Sequence, residues 1–394
     1  MMAGTNLIIL LACNMPWLNE RLGKFDLQVF NFADTGRGLA TIRDRRVGEV
    51  LLEVSDALTP TEILQRFKSI HSTAAAAQSL TNEQVLSLGI LELKAINDDY
   101  ALSLPDHQYS VLTIPSTLKQ CFPRCYQASI EASQETAFQF YQQIKIHSKS
   151  PPSLADFLWA FATVRSRSLL APECESHPLL VDGPGSRILL PAFDVLNHKD
   201  NAQSALELLQ NRENEEVWRL TANEAYKAGD QVFISYGNRD NLKLFFIYGF
   251  CMRENSDNLA LFDLDDLLEA CIKIRPNLFS KDIIKRIKPQ LEAAVGTNRG
   301  EDRAMFSLDS KGPRDSLMGG LNMMQQVSTQ LSTARDDEFM KDITKCLQDS
   351  RSEEIRKCLS KLDTLDDLEE GWSDTKRFIR ILLESEHALL EMKC

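Results

Sequence analysis

Leu190-Pro-Ala-Phe-Asp-Val-Leu-Asn-His198 and Gly229-Asp-Gln-Val-Phe-Ile-Ser-Tyr-Gly237 both run from apolar, strand-forming residues into a polar terminus, Asn197 and His198 in the first and Tyr236 in the second. A third stretch, Gly36-Arg-Gly38 followed by Gly48-Glu49, supplies tight turns among the earliest strands. Singly these are ordinary features. Gly-x-Gly marks a turn, Asn-His a loop, and a tyrosine at a strand end is most often a half-buried packing aromatic. Order along the chain and setting give them weight together.

Around these stretches the periodicity changes twice. Residues 27–30, 40–42 and 50–54 read as strands separated by glycine turns. Residues 61–67, 82–93, 131–147 and 154–164 carry the three-and-four spacing of helices, and Ser153 with Asp156 forms a capping pair ahead of the last. Strand character returns at 188–191, 204–209, 216–220 and 231–236. Two strand-rich pieces therefore bracket a helical insertion. Beyond about Asp263 the sequence reads as helical to its end, over 262–274, 281–294, 317–331, 338–347 and 374–392, with 296–314 as a loose connection. There is no convincing internal repeat.

Composition narrows the function classes. The excess of 56 acidic over 44 basic residues, a formal charge of −12, repels a phosphate backbone and favours a basic partner. Nine scattered cysteines do not read as a disulfide framework and point to a reducing compartment. Cys121 and Cys125 have no second pair or histidine at zinc-ligand spacing, so they read as packing residues. The apolar run 7–12 lacks the basic residues that precede a secretory core and is far shorter than the about 20 residues of a membrane span. It reads as a buried strand or a helix start. The expectation is a soluble monomer of the cytoplasm or nucleus, with no membrane or direct nucleic-acid binding.

At Thr35-Gly-Arg-Gly-Leu-Ala40 with Gly48-Glu-Val-Leu-Leu-Glu-Val54, at the Asn197-His198 stretch, and at the Tyr236 stretch with Asp240-Asn241 and Tyr248-Gly-Phe250, the chain resembles SET-domain protein methyltransferases. It is most similar to the class of Rubisco large-subunit methyltransferase, and within it to the group called SET domain-containing protein 4. The resemblance implies an α+β protein: a β-rich SET fold with a threaded core, split by a helical insertion and followed by an all-helical C-terminal domain. Residues 1–24 would be an N-terminal segment, 25–59 and 186–255 the two parts of the SET domain, 60–185 the insertion, and 256–394 the helical substrate-binding-like domain.

The same resemblance implies the site. S-adenosyl-L-methionine would be the methyl donor, with no metal. Glu49, Val50 and Leu51 would line its pocket, Asn197 and His198 would contact its amino-acid part, and Arg167 would meet its carboxylate, a task suited to a guanidinium fork. Tyr236 would stand at the methyl-transfer point and also touch the cofactor. Tyr248 and Phe250 would lie on the substrate side, and Asp194 would be a polar group of the substrate or cofactor side. From the residues alone, Arg167 could be a solvated surface charge, Asp194 an acceptor for the tight Asn-His loop, and His198 a satisfied core histidine. The chain departs from the class in keeping Leu104-Pro105 without the usual aromatic block before it, and in having Ser55 where proline is usual. These departures bear on the substrate groove more than on the cofactor site. A protein substrate with a target lysine, such as a histone, is the expected partner. Histidine methylation, or a catalytically silent SET fold acting as a binding module, are the alternatives.

Overall fold

The glycine-bounded strands at the start of the chain pair as their spacing predicts. In the computed structural model, which describes residues 16–171, 180–181, 186–202, 204–210, 216–295, 306–331, 337–365 and 371–392, β1 (Leu27–Phe32) and β2 (Gly36–Thr41) form an antiparallel hairpin from Leu27↔Thr41 to Phe32↔Gly36. Gly36 closes the turn at φ +68°, a conformation that glycine adopts without a Cβ penalty. The apolar run 7–12 lies outside the described residues.

The remaining strands of this part are β3 (Val50–Val54), β4 (Leu80–Thr81), β5 (Leu169–Ala171), β6 (Leu180–Val181), β7 (Ser186–Ile188), β8 (Asn197–His198), β9 (Ser204–Gln210), β10 (Glu216–Ala222) and β11 (Gln231–Ile234). They form a four-stranded sheet in the order β1-β2-β11-β8, a three-stranded sheet β3-β10-β9, and the small pairs β4-β6 and β5-β7. A common core of Leu39, Leu51, Leu52, Leu196, Val232 and Ile234, each at most 5 % exposed, holds the two larger sheets together. Apolar burial on this scale is what offsets the entropy of ordering such short strands. The helix Asn82–Ala95 opens on a Thr81–Gln84 capping box. The helix Leu154–Arg167 opens on the expected Ser153 cap, whose Oγ accepts the Asp156 N–H at 3.1 Å.

The chain divides into two compact units, residues 1–108 with 140–238 and residues 109–139 with 239–394. This partition differs from the expected one, since 109–139 of the insertion and 239–255 count with the C-terminal helices. Polar anchors explain the first assignment. Tyr126 Oη donates to Glu386 at 2.7 Å, and Arg124 grips Glu269 through two hydrogen bonds of 3.0 and 2.9 Å.

The second unit contains the helices Leu264–Ile274, Lys281–Val295, Asp315–Leu331, Asp337–Asp363 and Trp372–Glu391. It is not all-helical, which corrects the sequence expectation. Strands β12 (Ala260–Phe262), β13 (Phe306–Asp309) and β14 (Gly312–Pro313) form an antiparallel sheet, so the end of the supposed loose connection 296–314 is a hairpin. The polar composition concealed it, but Phe306 and Leu308 are buried on one face, and Asp309 caps the turn by accepting the Lys311 N–H at 2.7 Å.

Glu386 is fully buried in this unit, and that burial pushes its carboxyl up to about 7 against the opposing pull of Arg351 and the Tyr126 hydroxyl. A folded-state value above the unfolded one, about 4.3, contributes stability that is complete at low pH and is lost as pH rises through about 7. Melting temperatures of wild type and Glu386→Gln between pH 4 and 8 should therefore converge at the acid end, with only wild type losing stability specifically across this window. Parallel curves would show that Glu386 does not titrate there.

Candidate active site

The Asn197 loop and the Tyr236 strand end, 39 positions apart by number, meet through the parallel pairing of β8 with β11, where Phe233 lies opposite Asn197 and Ile234 opposite His198. Beyond the last paired residue the chain turns Tyr236 back onto the loop. Its backbone N–H donates to His198 Nδ1 at 3.0 Å, its hydroxyl donates to the Leu196 carbonyl at 2.7 Å, and its ring stacks on the imidazole at 5.1 Å between centroids.

His198 is the satisfied core histidine that its residue type suggests, with a side chain only 1 % exposed. Because Nδ1 accepts the Tyr236 N–H, the neutral ring carries its proton on Nε2, which donates to Asp200 Oδ1 at 3.1 Å. The imidazole thus orients Tyr236. Asn197 is equally committed to the fold. Its Nδ2 donates to the Arg37 carbonyl at 3.0 Å and to the Thr35 carbonyl at 3.3 Å, tying the loop to the β1–β2 turn.

That tie explains the second glycine of Gly36-Arg-Gly38. A Cβ on Gly38 would lie 2.6 Å from Asn197 Nδ2 and 2.5 Å from Gln231 Nε2. Gly38→Ala is expected to push Asn197 off its two carbonyls and to destabilise the protein by about 1–3 kcal/mol, the usual cost of overpacking. Urea unfolding measures this, and an unchanged midpoint would mean that the loop relaxes freely.

Arg167 is not a solvated charge. At the end of its helix the side chain is 17 % exposed, and Nη1 donates to the Asp194 carbonyl at 2.6 Å and stands 3.6 Å from the Asp194 carboxylate. Asp194 is 3 % exposed, and burial raises its pKa while the Arg167 and Arg37 guanidiniums oppose the rise. Its carboxylate faces Arg167, and its backbone sits in the turn Phe193–Val195 that precedes Asn197.

Against known proteins, no family model matches the chain. It is 27 % identical over 273 residues to protein SET DOMAIN GROUP 40 of Arabidopsis thaliana, covering 61 % of this chain and 55 % of that one. It is 24 % identical to SET domain-containing protein 4 of Artemia parthenogenetica, covering 62 % of this chain and 63 % of the relative. Actin-histidine N-methyltransferase of Mus musculus is 24 % identical, over 76 % of this chain and 49 % of that protein. The chain thus spans about half to three fifths of the length of these relatives. Among solved structures, the SET domain of Rubisco LSMT bound to methyllysine and AdoHcy superposes with a TM-score of 0.62 at 18 % identity, over 95 % of this chain and 88 % of that one. The chain carries the SET fold of the Rubisco LSMT-like class.

Within this SET fold the other expected residues fall in three places. Leu51 is in the core and Val50 is half-buried beside it on β3. The Glu49 carboxylate accepts from Arg43 at 3.1 Å and Arg45 at 3.4 Å, and these bonds hold it below its ordinary range against desolvation. Tyr248 and Phe250 belong to the second unit, half-buried, with ring centroids 6.3 Å apart. Arg37 and Gly38 read from the sequence only as part of a tight-turn motif, with no side-chain role, and Tyr100 had none. The glycine pair around Arg37 was the available signal, whereas nothing local marks Tyr100. Among the described residues, no cluster of three or more His, Cys, Asp or Glu is placed to hold a metal, and no helix is long and apolar enough to cross a membrane.

Proposed function

We propose that the chain is an S-adenosylmethionine-dependent protein-lysine N-methyltransferase, working as a monomer in the cytoplasm or nucleus on a basic segment of a histone or other protein. The observation that carries this reading is the joining of Asn197 and Tyr236 across β8 and β11. It is supported by the LSMT structures bound to lysine and AdoHcy, and by the partial likeness to ribosomal lysine N-methyltransferase set11 of Schizosaccharomyces pombe, 29 % identical over 36 % of this chain and 33 % of that one. The residues fit the donor: the Asp194 cluster has two guanidiniums to one carboxylate, an excess of positive charge suited to a carboxylate ligand.

When bound, S-adenosylmethionine supplies a sulfonium methyl for in-line displacement, a step in which alignment can contribute about 7–11 kcal/mol. The protein's share is to hold and orient. Arg167 takes the anionic end of the donor, and the Asn197 loop fixes its amino-acid part. With its own proton on the Leu196 carbonyl, the Tyr236 oxygen meets a ligand as an acceptor and can align an amine N–H. A phenol serves better there than a carboxylate, because full negative charge would keep lysine protonated, whereas an apolar channel lowers its pKa and frees the amine.

Histidine is the second reading, favoured by the actin-histidine N-methyltransferase likeness over 76 % of the chain. Incubating the protein with cell extract and labelled S-adenosylmethionine, then sequencing the labelled peptides by mass spectrometry, separates the two. Label on lysine supports the proposal, label on histidine moves it to the second reading, and no label on any protein contradicts both.

A further inference from the structure

Behind the Asn197 loop lies a cluster that the roles above leave partly unexplained. Arg37 connects the two, since its backbone carbonyl accepts from Asn197 while its Nη1 donates to the Ser103 carbonyl at 2.9 Å. Ser103 ends the short helix Asp99–Ser103 that carries Tyr100, and its Oγ donates to the Tyr100 carbonyl at 2.7 Å. The charges of Asp194, Arg167 and Arg37 all act on the Tyr100 hydroxyl, as does Asp98. Burial foremost, with Asp194 next, keeps that hydroxyl protonated, so it is a donor.

Two buried atoms of this cluster lack partners. Tyr100 is 4 % exposed, and among the described residues nothing bonds its Oη; Arg167 Nε is also buried without an acceptor. Buried donors without acceptors are costly and uncommon, and those in a native fold call for an explanation. Here Arg167 and Arg37 stand against the single carboxylate of Asp194, while Asp98 is paired with Arg66 at 3.6 Å. A ligand carrying two acceptor oxygens and one negative charge would satisfy the donors and the charge together, leaving Asp194 on Arg167.

Resting on the methyltransferase reading, we propose that Tyr100 and Arg37 complete, with Arg167, the pocket for the carboxylate of S-adenosylmethionine. Tyr100 Oη and Arg167 Nε are the donors that the carboxylate takes. Arg37 is a positioning residue that supplies charge and ties this pocket to the Asn197 loop.

The test titrates S-adenosylmethionine and its decarboxylated analogue calorimetrically into wild type, Tyr100→Phe and Arg37→Gln, and records the melting temperature of each ligand-free protein. Wild type is expected to prefer S-adenosylmethionine by about ten- to a hundredfold. Tyr100→Phe should lose about tenfold for S-adenosylmethionine and nothing for the analogue. Its ligand-free melting temperature should be unchanged or higher, because the variant discards an unpaired buried hydroxyl. Arg37→Gln should likewise weaken only the carboxylate-bearing ligand. Equal losses for both ligands, or a wild type that does not distinguish them, would overturn the proposal, and a lowered Tyr100→Phe melting temperature with equal losses would show the hydroxyl to be structural. If wild type binds neither ligand, the methyltransferase reading itself fails, an outcome separate from the others.

Discussion

Tyr236→Phe is expected to lower methyl transfer by about 10²–10³-fold, the usual cost of removing one preorganised polar group at a reacting centre, while leaving S-adenosylmethionine affinity close to wild type. The separation follows from the geometry. What the substitution removes is the hydroxyl on the Leu196 carbonyl, whereas the backbone N–H that His198 accepts and the ring that stacks on the imidazole are both kept. The loop and the strand end should stay joined with the aligning oxygen gone. Single-turnover transfer to a verified substrate, beside a calorimetric titration of the donor, reads the two effects apart. Full turnover by the variant would remove Tyr236 from the proposed chemistry.

The largest expected effect on stability lies in the second unit, at Arg351. Its side chain is 1 % exposed and faces three carboxylates: Nη2 is 2.6 Å from Asp266, Nε 3.4 Å from Glu354, and Nη1 3.6 Å from Glu386, itself fully buried. Nη2 also meets Cys125 Sγ at 3.0 Å, and the guanidinium lies 5.3 Å from the ring centroids of Tyr126 and Phe262. Removing the cation leaves buried acids facing one another, and breaking a buried pair in this way typically costs about 3–5 kcal/mol. Arg351→Met, which keeps much of the volume, should therefore destabilise by about that amount in urea unfolding. Adding Glu386→Leu should recover part of the loss, since replacing a buried pair with apolar groups costs far less than breaking it. A single variant within about 1 kcal/mol of wild type, the range of an exposed ion pair, would mean that the cluster is solvated.

The contrast between these two residues shows what local sequence could and could not convey. Asn197 and Tyr236 were legible because each follows a short apolar run within a local motif, Asn-His after Phe193-Asp-Val-Leu196 and Tyr-Gly just past the strand Gln231–Ile234. Ser153 before its helix was legible for the same reason, since capping acts within one turn. Arg351 and Glu386, by contrast, sit in helices rich in charged residues, and only tertiary packing shows that these two are buried. Tyr100 is of that kind too, an aromatic in a five-residue helix whose hydroxyl gains meaning from Asp194, Arg37 and Arg167 elsewhere in the chain. The β12–β14 sheet escaped detection because its strands are two to four residues long, too short for a periodicity to show.

Whether the Asn197 loop and the Tyr236 strand end serve one sulfonium ligand is read by calorimetric titration of the purified chain with S-adenosylmethionine. Saturable one-to-one binding is expected for wild type and for Tyr236→Phe, with a clear loss of affinity in Asn197→Ala measured well below the lowered melting temperature that follows from losing its two hydrogen bonds to the β1–β2 turn. No heat of binding by the folded wild-type protein, or equal affinity in Asn197→Ala, would contradict that shared role.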